Sequence, residues 1–283
     1  MASFDSLFLV ACIAQLVYNL TWIYTVIRPH ENIKMNELKI HIAKGLYYAS
    51  IAVTEICALE NYPWLPKLLG GQGNMDSPLP ANQFPGYPLP SDLAMMHKVF
   101  YLQIFYHGVA TFVSTMPGNR TKPEMFVHHC VTMCLLFAAV KTDQFTCATI
   151  VLLLHDAPDV MVCSVKAFHV LNSTIPTLLC FTTMLSAWGY CRLYLLSMFS
   201  WKVLSNPGTP SNRISGILLF ALVGLHAWWF YLFCKMAMRF ASGSGSLPKD
   251  ITQKATPGSS PHSGDNSPAV STRTSPRLSE KRD

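Results

Sequence analysis

Charge is scarce in this sequence. Only 13% of the 283 residues are charged, whereas 51% are hydrophobic and the mean hydropathy is +0.28. This composition excludes an ordinary soluble domain and is typical of a polytopic membrane protein. The net charge of +6 collects near the ends of apolar segments, which favours contact with anionic lipid headgroups and argues against nucleic acid as a partner.

Recognisable metal and redox patterns are missing as well. None of the nine cysteines forms a Cys-x-x-Cys pair, so we expect them to act as small apolar residues. The HxxxH and HxxHH boxes of membrane desaturases and hydroxylases are absent. Three histidines and two aspartates, introduced below, could bind zinc or iron, but adjacent histidines on one helix diverge too far to share one ion comfortably. We therefore expect no resident metal.

Apolar stretches recur along most of the chain. A bilayer core of about 30 Å needs roughly 20 mostly apolar residues for each helical crossing. Seven candidate spans lie at residues 4–27, 42–59, 93–115, 125–140, 145–171, 176–199 and 214–240. The second contains Lys44 and Glu55, and the fourth is short. Because the first lacks a basic leading region and a small-residue cleavage site, we interpret it as a retained anchor.

The basic residues predict how the chain is oriented. With the amino terminus outside, the inner loops and the inner end of the last span hold Arg28, Lys34, Lys39, Arg120, Lys122, Lys235 and Arg239. This collection of basic residues on the inner side favours a cytosolic carboxyl terminus. Residues 61–92 are crowded with proline and glycine, which predicts an irregular outer loop. Residues 241–283 are rich in serine, proline and charge, which predicts a disordered tail.

Ionisable residues inside the predicted helices carry the functional signal. Such a group at membrane depth costs on the order of 3 kcal/mol, so it usually faces a cavity, a partner or a site. The stretch "MFVHHCVTM" places the adjacent His128 and His129 about 100° apart on the fourth helix. The stretch "VLLLHDAPDVMV" adds His155, Asp156 and Asp159, whose spacings of three and four residues place them on one face of the fifth helix.

Two basic residues and a proline extend this pattern. Lys166 continues the polar face seven residues after Asp159, although it could instead reach lipid headgroups. Arg192 lies deep in the sixth stretch and could pair with an acid such as Glu55. Pro158 deprives a carbonyl of its helical partner, so the helix is expected to bend near the acids. Isolated polar residues elsewhere are interpreted as packing or helix-contact residues: His97, His107, His169, His226, Tyr101, Gln103 and Tyr106.

Taken together, these residues resemble a known motif. "HHCVT", "HDAPD" and Lys166 are similar to the Lag motif of ceramide synthases, the acyltransferase branch of the TLC-domain family, which runs HHxxT, an intervening stretch, HDxxD and a lysine seven residues later. The similarity continues in "CRLYLL", which contains Arg192, in "WKVL" and, more weakly, in "FYLQIFYH". It covers residues 93–240, whereas the first two helices match by hydropathy alone. The sequence departs from the family pattern at Ala139, Ala148 and Cys163.

The resemblance implies an all-α polytopic membrane protein with about seven transmembrane helices, six of which form a TLC-type helical barrel. The implied domains are an amino-terminal transmembrane anchor with a cytosolic loop (1–39), a TLC membrane domain (40–240) and a disordered cytosolic tail (241–283). The implied location is the endoplasmic reticulum membrane. A homodimer or a heterodimer is left open.

The implied reaction is N-acylation of a sphingoid base by a fatty acyl-CoA within the bilayer, which gives ceramide or dihydroceramide and free CoA. No cofactor is required, because acyl-CoA is a co-substrate. A histidine would act as base or as nucleophile, carboxylates would orient it or bind the amine, and a further donor would stabilise the oxyanion. The candidate catalytic residues are His128, His129, His155, Asp156 and Asp159, and the candidate substrate-binding residues are Lys166 and Arg192.

Two other classes of function are alternatives. A noncatalytic TLC protein would use the polar face as a pocket for a lipid headgroup. The departures from the family pattern favour it, whereas the complete HHxxT and HDxxD spacing opposes it. A transporter would be expected to show paired repeats and broken helices, but the sequence has no internal repeat and only Pro158 as a break.

Overall fold

The structure is a computed structural model, and it describes residues 4–27, 32–60, 62–77, 93–116, 123–205 and 210–242. This part of the chain contains seven long helices and a short 3₁₀ turn at Lys67–Leu69. The helices are α1 (Phe4–Ile27), α2 (Ile33–Ala58), α3 (Leu93–Thr115), α4 (Pro123–Lys141), α5 (Phe145–Val170), α6 (Thr174–Trp188, continuing through the π-helical Gly189–Leu195 and the α-helical Leu196–Ser205) and α7 (Pro210–Ala241).

The predicted all-helical architecture is confirmed, and each predicted apolar stretch overlaps one of these helices. Among the described residues, four helices are long and apolar enough to cross a membrane, namely α1, α4, α5 and α7. The count of seven spans stays a prediction. The tail from residue 243 onward and the connections 28–31 and 117–122, which hold some of the basic residues used to predict orientation, lie outside the described residues.

The two ends of the helical bundle can be told apart by their contacts. Short connections make consecutive helices antiparallel. The amino-terminal ends of α1 and α3 lie together, because Lys98 Nζ is 2.9 Å from Asp5 Oδ1. Near the end of α6, Lys202 donates a hydrogen bond of 2.8 Å to the carbonyl of Ser77. We call this end, which carries segment 62–77, the loop end, and the end where α7 stops at Ala241 the tail end.

Helix α5 holds the bundle together. It packs along α2 and α6 and also contacts α3 and α4. The contacts among α2 to α7 close on themselves, since α2 touches α3, α3 touches α4, α4 touches α7, α7 touches α6, α6 touches α5, and α5 touches α2. Helix α1 packs outside this set against α2 and α3. The helices enclose a cavity of about 580 Å³.

Two local features position the cavity walls. At Gly45 an added Cβ would lie 3.2 Å from the Cβ of Cys163, so the small residue lets α2 and α5 approach closely. At the loop end, Trp64 and Leu65 are fully buried, and the Trp64 ring packs against Phe199 with centroids 5.3 Å apart. Residues 62–77 are therefore packed onto the helices at Trp64 and Leu65.

Candidate active site

One cavity collects the residues that the sequence singled out. The predicted site residues come from α4, α5 and α6, and the structure brings all of them to the cavity wall. These residues are His128, His129, His155, Asp156, Asp159, Lys166 and Arg192. Their assembly follows from the packing of α4 and α6 against α5, while the role of each residue stays a prediction.

Five imidazole rings form a row that passes through this region, which we call the histidine row. It runs from His107 of α3 through His129 and His128 of α4 to His155 of α5 and His226 of α7. The ring centroids of successive members are 6.4, 5.6, 6.0 and 4.8 Å apart. The row therefore brings imidazole rings from four helices together, and within it His155 and His226 are hydrogen-bonded to each other.

His155 uses both of its ring nitrogens within the protein. Its Nδ1 lies 2.6 Å from the carbonyl oxygen of Val151, which can only accept, so this nitrogen donates. Its Nε2 is then the acceptor in the neutral ring and lies 2.8 Å from Nε2 of His226, which donates. His155 is thus held by its own helix and by α7, and this arrangement suits a positioning role.

His128 and His129 stand in a different environment. Nδ1 of each ring is buried, and neither atom has a hydrogen-bond partner among the described residues. The His128 ring packs edge-on to Trp229 with centroids 5.5 Å apart. Thr132 donates to the carbonyl of His128 at 2.9 Å rather than to a ring nitrogen. Both imidazoles therefore keep a nitrogen for proton transfer or for attack on an acyl group.

Asp159 is bound by the π-helical part of α6. Its Oδ1 lies 2.7 Å from Nη2 of Arg192, which also donates to the carbonyl of His155 at 2.6 Å. The guanidinium lies over the Trp188 ring, 4.0 Å from its centroid. In the described part of the chain Arg192 pairs with Asp159 and not with Glu55, the alternative considered from the sequence. Such π-helical segments are frequent at functional sites, and this one carries the arginine.

Asp156 is bound by α3. The side-chain amide of Gln103 donates to Asp156 and, at 2.8 Å, to Glu55 of α2. Tyr47 donates to the amide oxygen of Gln103 at 3.1 Å, while the amide nitrogen faces the two carboxyl groups. Gln103 and Glu55 are fully buried and Asp156 is 2% exposed, so this network is buried behind the part of the cavity wall that Asp156 forms.

Three residues that are hydrogen-bonded in and around this site, His226, Gln103 and Glu55, were not predicted as site residues. His226 was interpreted as a lone packing residue and Gln103, with Tyr101 and Tyr106, as a helix-contact residue, while Glu55 was considered only as a partner for Arg192. The available signal was a polar or ionisable residue inside an apolar helix, which usually has a partner. Identifying that partner requires the rotation of α2, α3 and α7 about their axes, which no local pattern provides.

Comparisons with known proteins agree with the motif. Residues 37–235 match the model of the TLC domain. Ceramide synthase LOH2 of Arabidopsis thaliana is 25% identical over 232 residues, which cover 77% of this chain and 74% of that protein. ASC1-like protein 3 of Oryza sativa subsp. japonica is 23% identical over 236 residues, covering 80% and 78%. Ceramide synthase hyl-2 of Caenorhabditis elegans is 23% identical over 175 residues, covering 54% and 51%. The similarity to ceramide synthases is confirmed, and the chain belongs to the TLC-domain family.

Proposed function

We propose that the protein is an acyl-CoA-dependent N-acyltransferase that converts a sphingoid base to ceramide or dihydroceramide within the membrane. One observation carries the proposal, namely the convergence of His128, His129 and both aspartates on a single cavity in a chain whose relatives include named ceramide synthases. We further propose that α2 to α7 form the barrel around this cavity, because their contacts close on themselves.

The proposed chemistry begins at the amine. A long-chain amine is mostly protonated near neutral pH and must lose a proton before it attacks the thioester carbonyl. His128 or His129 would take that proton, or one of them would attack the thioester first and pass the acyl group to the amine. On either route a C–N amide bond forms, the C–S bond breaks, and the sulfur leaves as the thiol of CoA after receiving a proton.

The neighbouring groups have separate roles in this proposal. The side chain of Asp159 is 22% exposed whereas that of Arg192 is 4% exposed, so the carboxylate reaches the cavity and the guanidinium holds it from behind. Asp159 would receive the amine, and Gln103 would fix Asp156. The oxyanion would be stabilised by the second histidine of the His128–His129 pair or by Lys166, which lines the same cavity.

The loop-end half of the cavity suits a fatty acyl chain. Its walls are apolar or small and come from α4, α5, α6 and α7. They include Leu136, Ala139, Ala148, Val203 and Leu219. Ala139 and Ala148, which depart from the family pattern, add space at this end. We propose the endoplasmic reticulum membrane as the location, with the tail end towards the cytosol, where acyl-CoA would be supplied.

The test is amide formation from a fatty acyl-CoA and a sphingoid base by the membrane-embedded protein. His128→Ala should reduce the rate at least about 100-fold, the usual contribution of a general base. Asp159→Ala, in a sample shown to be folded, should also reduce it, because the variant removes the proposed contact with the amine. His97→Ala is the matched control, because the His97 ring packs against Phe145 with centroids 4.2 Å apart and is not part of the cavity lining in the described structure. A folded parent that forms no amide with any acyl-chain length would overturn the proposal and favour the noncatalytic lipid-binding alternative.

A further inference from the structure

Helix α1 lies outside the region that matches the TLC domain, yet it supplies a wall of the cavity. Tyr18, Trp22 and Val26 recur every four residues on one face of α1, and all three line the cavity. The Tyr18 ring lies 6.1 Å from that of Tyr106 on α3, measured between centroids. Leu20, on another face, is not among the residues that line the cavity. A helix that served only as an anchor would need no face turned towards the cavity.

The opposing wall belongs to α3 and the residue that follows it. His107, Ala110, Val113 and Met116 recur every three residues and line the same cavity. From His107 to Met116 these lining residues span about 13 Å towards the tail end, at 1.5 Å per residue. The two faces enclose a passage that leads from the histidine row to the tail end. We call it the α1 groove and define it by Trp22 and Val26 on α1 and by Val113 and Met116 on the other side.

The side of the groove formed by α2 is basic. His41 and Lys44, one turn apart, both line the cavity, and Lys44 Nζ lies over the Tyr48 ring at 5.5 Å from its centroid. Among the described residues that line the cavity the acids are Asp156 and Asp159, and both are already bonded within the protein. The groove therefore presents positive charge to a ligand.

His107 lies where the groove meets the histidine row. It is 8% exposed, and within the described ranges of the chain neither Nδ1 nor Nε2 has a hydrogen-bond partner. A buried imidazole in this state is unfavourable unless a ligand or water supplies the missing bonds. This position consequently calls for a polar group on whatever occupies the groove.

We infer that the α1 groove binds the CoA portion of the acyl-CoA, an inference that rests on the proposed function. The occupant must be elongated, polar where it passes His107, anionic on the α2 side and joined to the acyl chain at the histidine row. The phosphopantetheine arm of CoA meets each requirement, with a thioester at one end, amides along its length and phosphates at the other. A long-chain ammonium meets them poorly, because Lys44 repels it.

CoA itself is the probe, since its binding can be measured without turnover. The full-length protein in zwitterionic lipid nanodiscs would be titrated with CoA. Lys44→Gln should weaken binding roughly tenfold, the loss expected for one charge-assisted hydrogen bond, and Trp22→Ala should weaken it several-fold. Lys44→Arg, which keeps the charge, should retain more binding than Lys44→Gln, and Leu20→Ala, which changes a residue outside the cavity lining, should bind as the parent does. Loss of CoA binding in nanodiscs of anionic lipid would instead assign the groove to lipid headgroups and overturn the inference.

Turnover distinguishes this inference from the proposed function. Trp22→Ala should raise the KM for acyl-CoA and leave the KM for the sphingoid base unchanged. A rise in the KM for the base instead would assign the groove to the amine and overturn the inference. Binding of CoA that depends on Trp22 and Lys44, in a protein that forms no amide, would support the groove while sinking the proposed function. Amide formation by Trp22→Ala and Lys44→Gln with the parent's KM for acyl-CoA would support the proposed function and overturn the inference.

Discussion

Helices α1 and α5 are similar in length, at 24 and 26 residues, and both are apolar enough to cross a membrane, yet they occupy different surroundings. In the most apolar window of α5, 56% of the residues are buried, against 11% in α1. Hydropathy therefore shows that a helix suits a bilayer but does not show whether its neighbours are lipid or protein. The polar residues of a helix indicate which of its faces contact protein, because each polar group needs a partner in an apolar medium.

The polar residues of α5 tie it to three different helices. Asp159 binds α6 through Arg192, Asp156 binds α3 through Gln103, and His155 binds α7 through a ring nitrogen. Helix α1 is attached chiefly by apolar contacts, such as those of the fully buried Ala11. Substitutions at polar positions should consequently cost much more at the contacts of α5 than at those of α1.

The largest effect is expected at the buried ion pair. Asp159→Leu leaves Arg192 buried without its partner and should reduce the free energy of unfolding by about 3–5 kcal/mol. Arg192→Leu should cost less, because the side chain of Asp159 keeps 22% exposure. The double variant should recover part of the loss, because it leaves no unpaired charge. The measurement is equilibrium unfolding of each variant in mixed detergent and lipid. A loss in the double variant equal to the sum of the two single losses would show that the pair itself contributes nothing.

The helices themselves were largely predictable from the sequence. The stretch predicted at 145–171 is the helix Phe145–Val170, because length and apolar composition define a buried span. Helix α2 begins at Ile33, well before the predicted residue 42. Its first turns are polar and carry no hydropathy signal, but Asn32 caps them by accepting from the Met35 N–H at 3.4 Å. The predicted span thus covers only part of the helix, because the first turns depend on capping rather than on apolar composition.

The site was predictable only where its residues are close in sequence. His155 and Asp159 share a face of one helix, so their spacing revealed them. Gln103 and His226 reach α5 from α3 and α7, and their contacts depend on how those helices are rotated. The partner of Arg192 depends in the same way on the π-helical segment, which no propensity of "GYCRLYL" indicates. The partners of these three residues are therefore set by tertiary packing, which the motif does not encode.

Two buried glutamines test the comparison of α5 with α1, and the expected loss of stability is smaller than at the ion pair. Gln103 is fully buried and bonds Glu55, Asp156 and Tyr47. Gln103→Leu leaves these groups without that partner and should reduce the free energy of unfolding by about 1–3 kcal/mol, with a loss of activity. Gln15 on α1 is 3% exposed, but its amide reaches only Asn19 of the same helix at 3.4 Å.

Gln15→Leu is thus the matched control. Its Oε1 is buried and has no partner in the described part of the molecule, so the substitution removes a buried, unpaired polar group. Stability should stay the same or rise slightly. Both variants would be compared by thermal unfolding in the same detergent. Similar losses in both would contradict the difference drawn between the two helices.

The smallest effect is expected where α1 makes an ion pair. Lys98 and Asp5 meet at 2.9 Å at the loop end, but their side chains are 49% and 79% exposed. Exposed pairs of this kind contribute about 0.2–1 kcal/mol, and salt screens them. Asp5→Asn should therefore shift the unfolding temperature little at low ionic strength and not measurably at high ionic strength. A large fall in the unfolding temperature that persists at high ionic strength would show that the ion pair holds α1 in place. It would contradict the statement that α1 is attached chiefly by apolar contacts.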